Sequence, residues 1–202
     1  MQWPTPALLL SIVVLASLPA SARVTRVEIR ERVEVAGGKS FGEVGPFEKI
    51  VGRVHFAVRP EAKQNRRVVD LDRAPRNAQG EVEFSADLFL LKPREMARAN
   101  GALLLEISNR GGKGIVAIVN GGRSTPNPTG EADFGDGFLM RRGYVVAWLG
   151  WQFDVHGETG VRLHAPIARN RDGSSIQGPV RADFNPDVRM EEMPLGHWIG
   201  GR

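Results

Sequence analysis

Between residues 24 and 35 apolar and polar positions alternate, with Val24, Val27, Ile29, Val33 and Val35 forming the apolar set. A period near two sends successive side chains to opposite faces, so this stretch predicts an edge or half-exposed strand. Gly37, Gly38, Gly42 and Gly45 then break it. A second alternating segment, 47–58, stops at Pro60, and a third, 81–91, stops at Pro93. Three strands joined by turn-rich loops, before any convincing helix, predict an antiparallel leading region over 24–92.

After Pro93 the pattern changes. Within 101–107 the run Ala102-Leu103-Leu104-Leu105 is apolar on both faces, as a strand sandwiched between helical layers requires. Residues 109–122 read as a glycine-rich loop. Residues 131–142 predict a short helix, with Phe134 and Phe138 on one stripe, Arg141 and Arg142 in the last turn and Gly143 as its cap. Residues 144–149 are a second wholly apolar strand. Strand, loop, helix and strand over 101–150 make one βαβ unit, expected to cross over right-handed. The predicted fold class is α/β with an antiparallel, β-rich leading part. In the extended tail, 160–202, the segments 161–167 and 179–184 are expected to form a hairpin, and the chain reads as loop from Pro186.

The composition, 42% hydrophobic and 25% charged over 202 residues, is that of one ordinary globular domain and disfavours disorder or a multi-span membrane protein. No charged side chain occurs in the first 22 residues. The apolar run at 7–18 falls short of the roughly 20 residues a bilayer span needs. Ala20-Ser21-Ala22 fits the small-residue cleavage rule. Residues 1–22 are therefore predicted as a signal peptide, and the mature chain, 23–202, as exported, periplasmic or secreted, with no membrane span after cleavage. The chain has no cysteine, which removes disulfides and thiolate metal sites from consideration.

A net charge of +4 and a pI near 9.9 invite a nucleic-acid reading, but the charges are scattered. Arg66-Arg67 and Arg141-Arg142 are only pairs, with Asp70, Asp72, Asp133 and Asp136 close by, and no basic stripe interleaved with aromatics occurs.

The passage Gly137-Phe138-Leu139-Met140-Arg141-Arg142-Gly143-Tyr144-Val145-Val146-Ala147 resembles the helix-to-strand passage before the nucleophile of α/β-hydrolases. Four further segments extend the likeness: Ser40-Phe41-Gly42-Glu43-Val44-Gly45-Pro46-Phe47-Glu48, Val69-Asp70-Leu71-Asp72-Arg73-Ala74-Pro75-Arg76-Asn77, Ser108-Asn109-Arg110-Gly111 and Gly150-Trp151-Gln152. Together they resemble the large bacterial exported alpha/beta hydrolase domain-containing proteins, over residues 24–195. The resemblance implies an incomplete α/β-hydrolase-like sheet whose catalytic half follows this sequence. It also implies a small-molecule, ester-like substrate and no cofactor. By the same resemblance Asn109, Arg110, Gly111 and Gly112 occupy the place of the oxyanion loop, where glycines let N–H groups face a developing oxyanion and Arg110 attracts an anionic substrate. The plainer reading of that loop is a turn.

A nucleophile elbow needs a strand before Gly-x-Ser-x-Gly and a helix after it. The match Gly38-Lys39-Ser40-Phe41-Gly42 has Gly45 and Pro46 behind it and precedes the βαβ unit, so it reads as a glycine-rich turn. A phosphate-binding loop ending at Ser40 would need glycine where Val33 stands. His55, His156, His164 and His197 have no spacing to an Asp or Ser that marks a triad, because triad partners meet in space. Asp154, His156 and Glu158 are too close in sequence to suggest more than a solvated loop, so no metal site is predicted. Asp70 and Asp72 read as turn-capping residues or as features of the leading sheet, and Asp87 has no assigned role. Trp148, Trp151 and Phe153 crowd the end of the 144–149 strand, as core or as one wall of an acyl or aromatic pocket.

Two functions of different classes follow. In one, the chain is the N-terminal part of an exported serine hydrolase acting on ester or related acyl bonds, inactive at this length. In the other, it is a non-catalytic binding or scaffold domain. An unpaired edge on the 144–149 strand, with apolar faces lacking helix cover, predicts self-association.

Overall fold

The computed structural model describes residues 22–155, 157, 159–179, 188, 189 and 191. Residues 1–21, His156, Glu158, His197 and most of 179–184 lie outside them.

Strands β1 (Ala22–Glu34), β2 (Phe47–Val58) and β3 (Val82–Pro93) form an antiparallel meander. It continues through β4 (Leu103–Glu106), helix α1 (Ile115–Asn120), helix α2 (Phe138–Arg141), β5 (Val145–Leu149) and the two-residue β6 (Leu163–His164). The strand order is β1-β2-β3-β5-β4, with β6 also paired to β3. The protein is thus mixed α/β, with a six-stranded, mostly antiparallel sheet and few helices. Among the described residues the one parallel pair is β4 with β5, in register from Leu103 opposite Val145 to Glu106 opposite Trp148.

Directly opposed residues share a face, and the register of β2 and β3 sorts the sheet. Val51 faces Phe89 and Arg53 faces Asp87 on one side. On that side Phe47, Phe89, Leu91, Val146 and Trp148 pack against Val116, Phe134, Leu139 and Met140, which come from the crossover between β4 and β5. On the opposite side lie Ile29, Gly52, Leu88 and Leu90, with Leu103 and Leu105 at the far end.

The sequence expectations need several corrections. The helix expected over 131–142 is two short pieces, a 3-10 turn at Glu131–Phe134 and α2, because Gly135 turns the backbone to φ 51 between them. Phe134 is consequently buried while Phe138 is exposed, and they do not form one stripe. Helix α1 lies where only loop was expected. The Ala102–Leu105 run is not sandwiched: β4 is the sheet's edge, with Leu103 and Leu105 exposed at 61% and 47%. Among the described residues the outermost strands are β1 and β4, so the open edge expected on the 144–149 strand falls on β4 and β5 is interior. In the tail, β6 adds to β3, and the second segment of the expected hairpin, 179–184, lies almost wholly outside the described residues.

Candidate functional site

At the carboxyl end of β5 the neighbour of β3 changes. Leu149 is opposite Leu88, the Gly150 N–H donates to the Asp87 carbonyl at 2.9 Å, and β6 takes over at Ser85 and Ala86. Asp87 sits at this handover. Its N–H donates to the Arg162 carbonyl at 3.0 Å, and its carboxylate accepts the Arg162 N–H at 3.2 Å. The segment reaches β3 because Gly150 leaves room: a Cβ there would stand 2.1 Å from the Arg162 carbonyl oxygen.

The β2–β3 register places Arg53 beside Asp87, and β6 brings His164 onto the same carboxylate. Arg53 Nη2 and His164 Nε2 each lie 2.9 Å from Asp87 Oδ1, and 2.9 Å from one another. A single ring nitrogen cannot donate to Asp87 and accept from Arg53 together. With the guanidinium already paired to the carboxylate, the consistent assignment is an Nε2–H donating to Asp87. Partial burial opposes the Asp87 charge, but the bonds from His164, Arg53 and the Arg162 N–H outweigh it and hold the carboxyl below its ordinary range.

Lys113, just before α1, contributes a different kind of group. It is only 4% exposed. Its ammonium donates to the Thr159 carbonyl and lies 4.9 Å from the centre of the Phe89 ring. Burial lowers its pKa to about 8, with Lys49 adding to the effect and Asp87 and Glu106 opposing it. Asp87, Arg53, His164 and Lys113 line one cleft of about 410 Å³ on the covered side of the sheet. Val51, Phe89 and Val161 supply its apolar surface, and Arg30, Glu31 and Arg162 its remaining charges.

The loop after β4 lies alongside. The Arg110 N–H donates to Gln152 Oε1 at 2.6 Å, the Arg110 guanidinium pairs with Asp154, and the Gly112 N–H donates to the Asn109 carbonyl at 3.1 Å. The Arg110 charge expected to attract a substrate is thus answered within the chain. Gly111 packs against the same tail segment that Gly150 admits, since a Cβ on it would lie 2.7 Å from the Val161 carbonyl oxygen.

The three aromatic candidates are not brought together as one wall. Trp148 is fully buried, edge-on to Phe89 at 5.4 Å, with its indole N–H on Glu106. Trp151 is exposed and donates to the Ser108 carbonyl, and Phe153 is 76% exposed. None of the three lines the cleft. Ser40 is exposed between the 3-10 turns Ala36–Gly38 and Gly42–Val44, with no helix behind it. Asp70 and Asp72 belong to the 3-10 turn at Leu71–Arg73, away from the cleft, and His55 sits 2.9 Å from Arg26. Among the described residues no three His, Cys, Asp or Glu side chains gather for a metal ion.

Sequence reasoning singled out neither Lys113 nor the Asp87–His164 contact, whose partners are 77 residues apart. Lys113 stood unnoticed within the glycine-rich loop. Among the described residues no helix is long and apolar enough to cross a membrane. No family model, curated protein or solved structure matches the chain.

Proposed function

We propose that the chain is the N-terminal portion of an exported serine hydrolase of the α/β-hydrolase type, acting on ester or related acyl bonds. The observation that supports this reading best is the parallel pairing of β4 and β5 across a helix-bearing crossover. Asn109, Arg110, Gly111 and Gly112 follow the carboxyl end of β4, where open α/β sheets hold ligands and where hydrolases place an oxyanion donor. The Arg110 and Gly112 amides already donate within the chain, so in this reading the loop's donor is Asn109 or Gly111.

In this reading the nucleophile follows Arg202, because Ser108, the described serine between β4 and α1, is buried, lies outside any Gly-x-Ser-x-Gly and is separated from the helix by the loop 109–114, where an elbow needs a tight strand-to-helix turn. The test compares the 202-residue chain with the product of the same reading frame continued past Arg202. Labelling of the longer product at a serine by a fluorophosphonate, with turnover of 4-nitrophenyl butyrate that the shorter chain lacks, is the expected result. A frame that stops at Arg202, an unlabelled longer product, or turnover by the short chain that Ser40→Ala abolishes would each overturn the proposal.

A further inference from the structure

The geometry points to a binding site for a small organic carboxylate in the cleft over β2 and β3, with Lys113 as its central cation and Arg162 as the second. The inference does not depend on the hydrolase reading, since it concerns binding by the chain as it stands.

The charges of the cleft are unevenly matched. Arg30, Arg53, Lys113 and Arg162 line the cleft against Glu31 and Asp87. Asp87 is taken by Arg53, Glu31 pairs with Lys49, and Arg30 pairs with Glu28 outside the cleft. Among the described residues neither Lys113 nor Arg162 has a carboxylate within ion-pair distance; each donates to a backbone carbonyl, of Thr159 and of Gly157. Exposed, two such cations would mean little. Lys113, however, is almost fully buried, and a charge removed from water needs compensation. Among the described residues its direct partners are one carbonyl and one aromatic ring, with Asp87 and Glu106 acting only at longer range, and an ammonium carries three donors.

The rest of the lining selects the ligand. Val51, Phe89 and Val161 give the cleft an apolar surface, which suits an anion with a hydrocarbon body. Glu31 and Asp87 within the same lining disfavour a dianion such as phosphate, which would meet two carboxylates beside these two cations. A monocarboxylate balances the site better, with its head on Lys113 and Arg162 and its body against Phe89.

Isothermal titration of the 202-residue chain with sodium benzoate, benzyl alcohol and inorganic phosphate tests the proposal. Benzoate is expected to bind saturably and more tightly than either comparator. Lys113→Met, similar in length and uncharged, is expected to weaken benzoate roughly tenfold or more, the loss of one charge-assisted contact. Arg162→Gln is expected to weaken it severalfold, while Arg76→Gln, which removes the same charge away from the cleft, leaves affinity unchanged. Affinity should also fall as pH rises through the Lys113 value of about 8. Among the described residues Asp87 on β3, Glu106 on β4 and Lys49 on β2 are the other charged groups acting on this ammonium. That pH profile, measured on the native chain, decides the matter should Lys113→Met fail to fold. Equal binding of benzyl alcohol, tighter binding of phosphate, full affinity in folded Lys113→Met, or a flat pH profile would overturn the inference.

Discussion

Strands β1, β2 and β3 are 13, 12 and 12 residues long and pair along almost their whole length, whereas β4 and β5 meet over four residues. The meander is a ladder whose backbone bonds are mostly its own. The parallel half is held by what surrounds it. Glu106 receives the Trp148 indole N–H together with the N–H groups of Gly114 and Ile115, tying β4 to β5 and to the start of α1. Asp133, buried in the crossover, accepts the Thr129 and Gly130 N–H groups at 2.9 and 2.8 Å and pairs with Arg123. A short parallel pair of this kind depends on packing and on a few buried polar hubs, while the long antiparallel pairs tolerate an exposed outer strand. On β1, Val24, Val27 and Ile29 are all about half exposed.

Four substitutions or conditions probe that contrast, beginning with the largest expected effect. Trp148→Ala removes the biggest buried side chain and should cost about 3–5 kcal/mol in chemical denaturation. A loss under about 1 kcal/mol would mean that the parallel half adds little to the cooperative unit. Asp133→Ala strands two backbone donors and Arg123, and is expected to cost about 2–3 kcal/mol by the same measurement.

The third probe is pH. The folded-state pKa of Asp87 lies below its ordinary value of 3.8, so the unfolded chain takes up the proton first as pH falls. Its contribution to stability is present above that value and is lost on acidification through it and towards the folded pKa. Asp87→Asn should flatten this part of the stability curve, and an unchanged slope would show that the Arg53 and His164 bonds do not favour the ionised form. The smallest effect belongs to β1: Val27→Thr should change stability by no more than about 0.5 kcal/mol, because the site is half exposed and threonine suits a strand.

The same contrast explains what could be read in the sequence. Residues of β1 to β3 announce themselves by local alternation, a period that needs no knowledge of partners. The aliphatic runs of β4 and β5 likewise carried enough signal to expect two adjacent strands in parallel. Density of apolar residues did not reveal which strand lies at the edge, because Leu103 and Leu105 are equally apolar whether covered or exposed. Helix α1 was hidden because Gly111, Gly112 and Gly114 precede it, and Gly121 and Gly122 follow, a composition that reads as loop. The cleft was illegible for a different reason. Asp87, Lys113 and His164 come from β3, the loop before α1 and β6, and only the folded sheet brings them together.

Gly111 and Gly150 decide how one wall of the cleft is held. Both lie closer to the Val161 and Arg162 backbone than any side chain permits, so the post-β4 turn and the end of β5 each pack backbone to backbone on one wall of the cleft. Gly111→Ala or Gly150→Ala would therefore have to shift that wall, disturbing the cleft without altering any side chain that lines it.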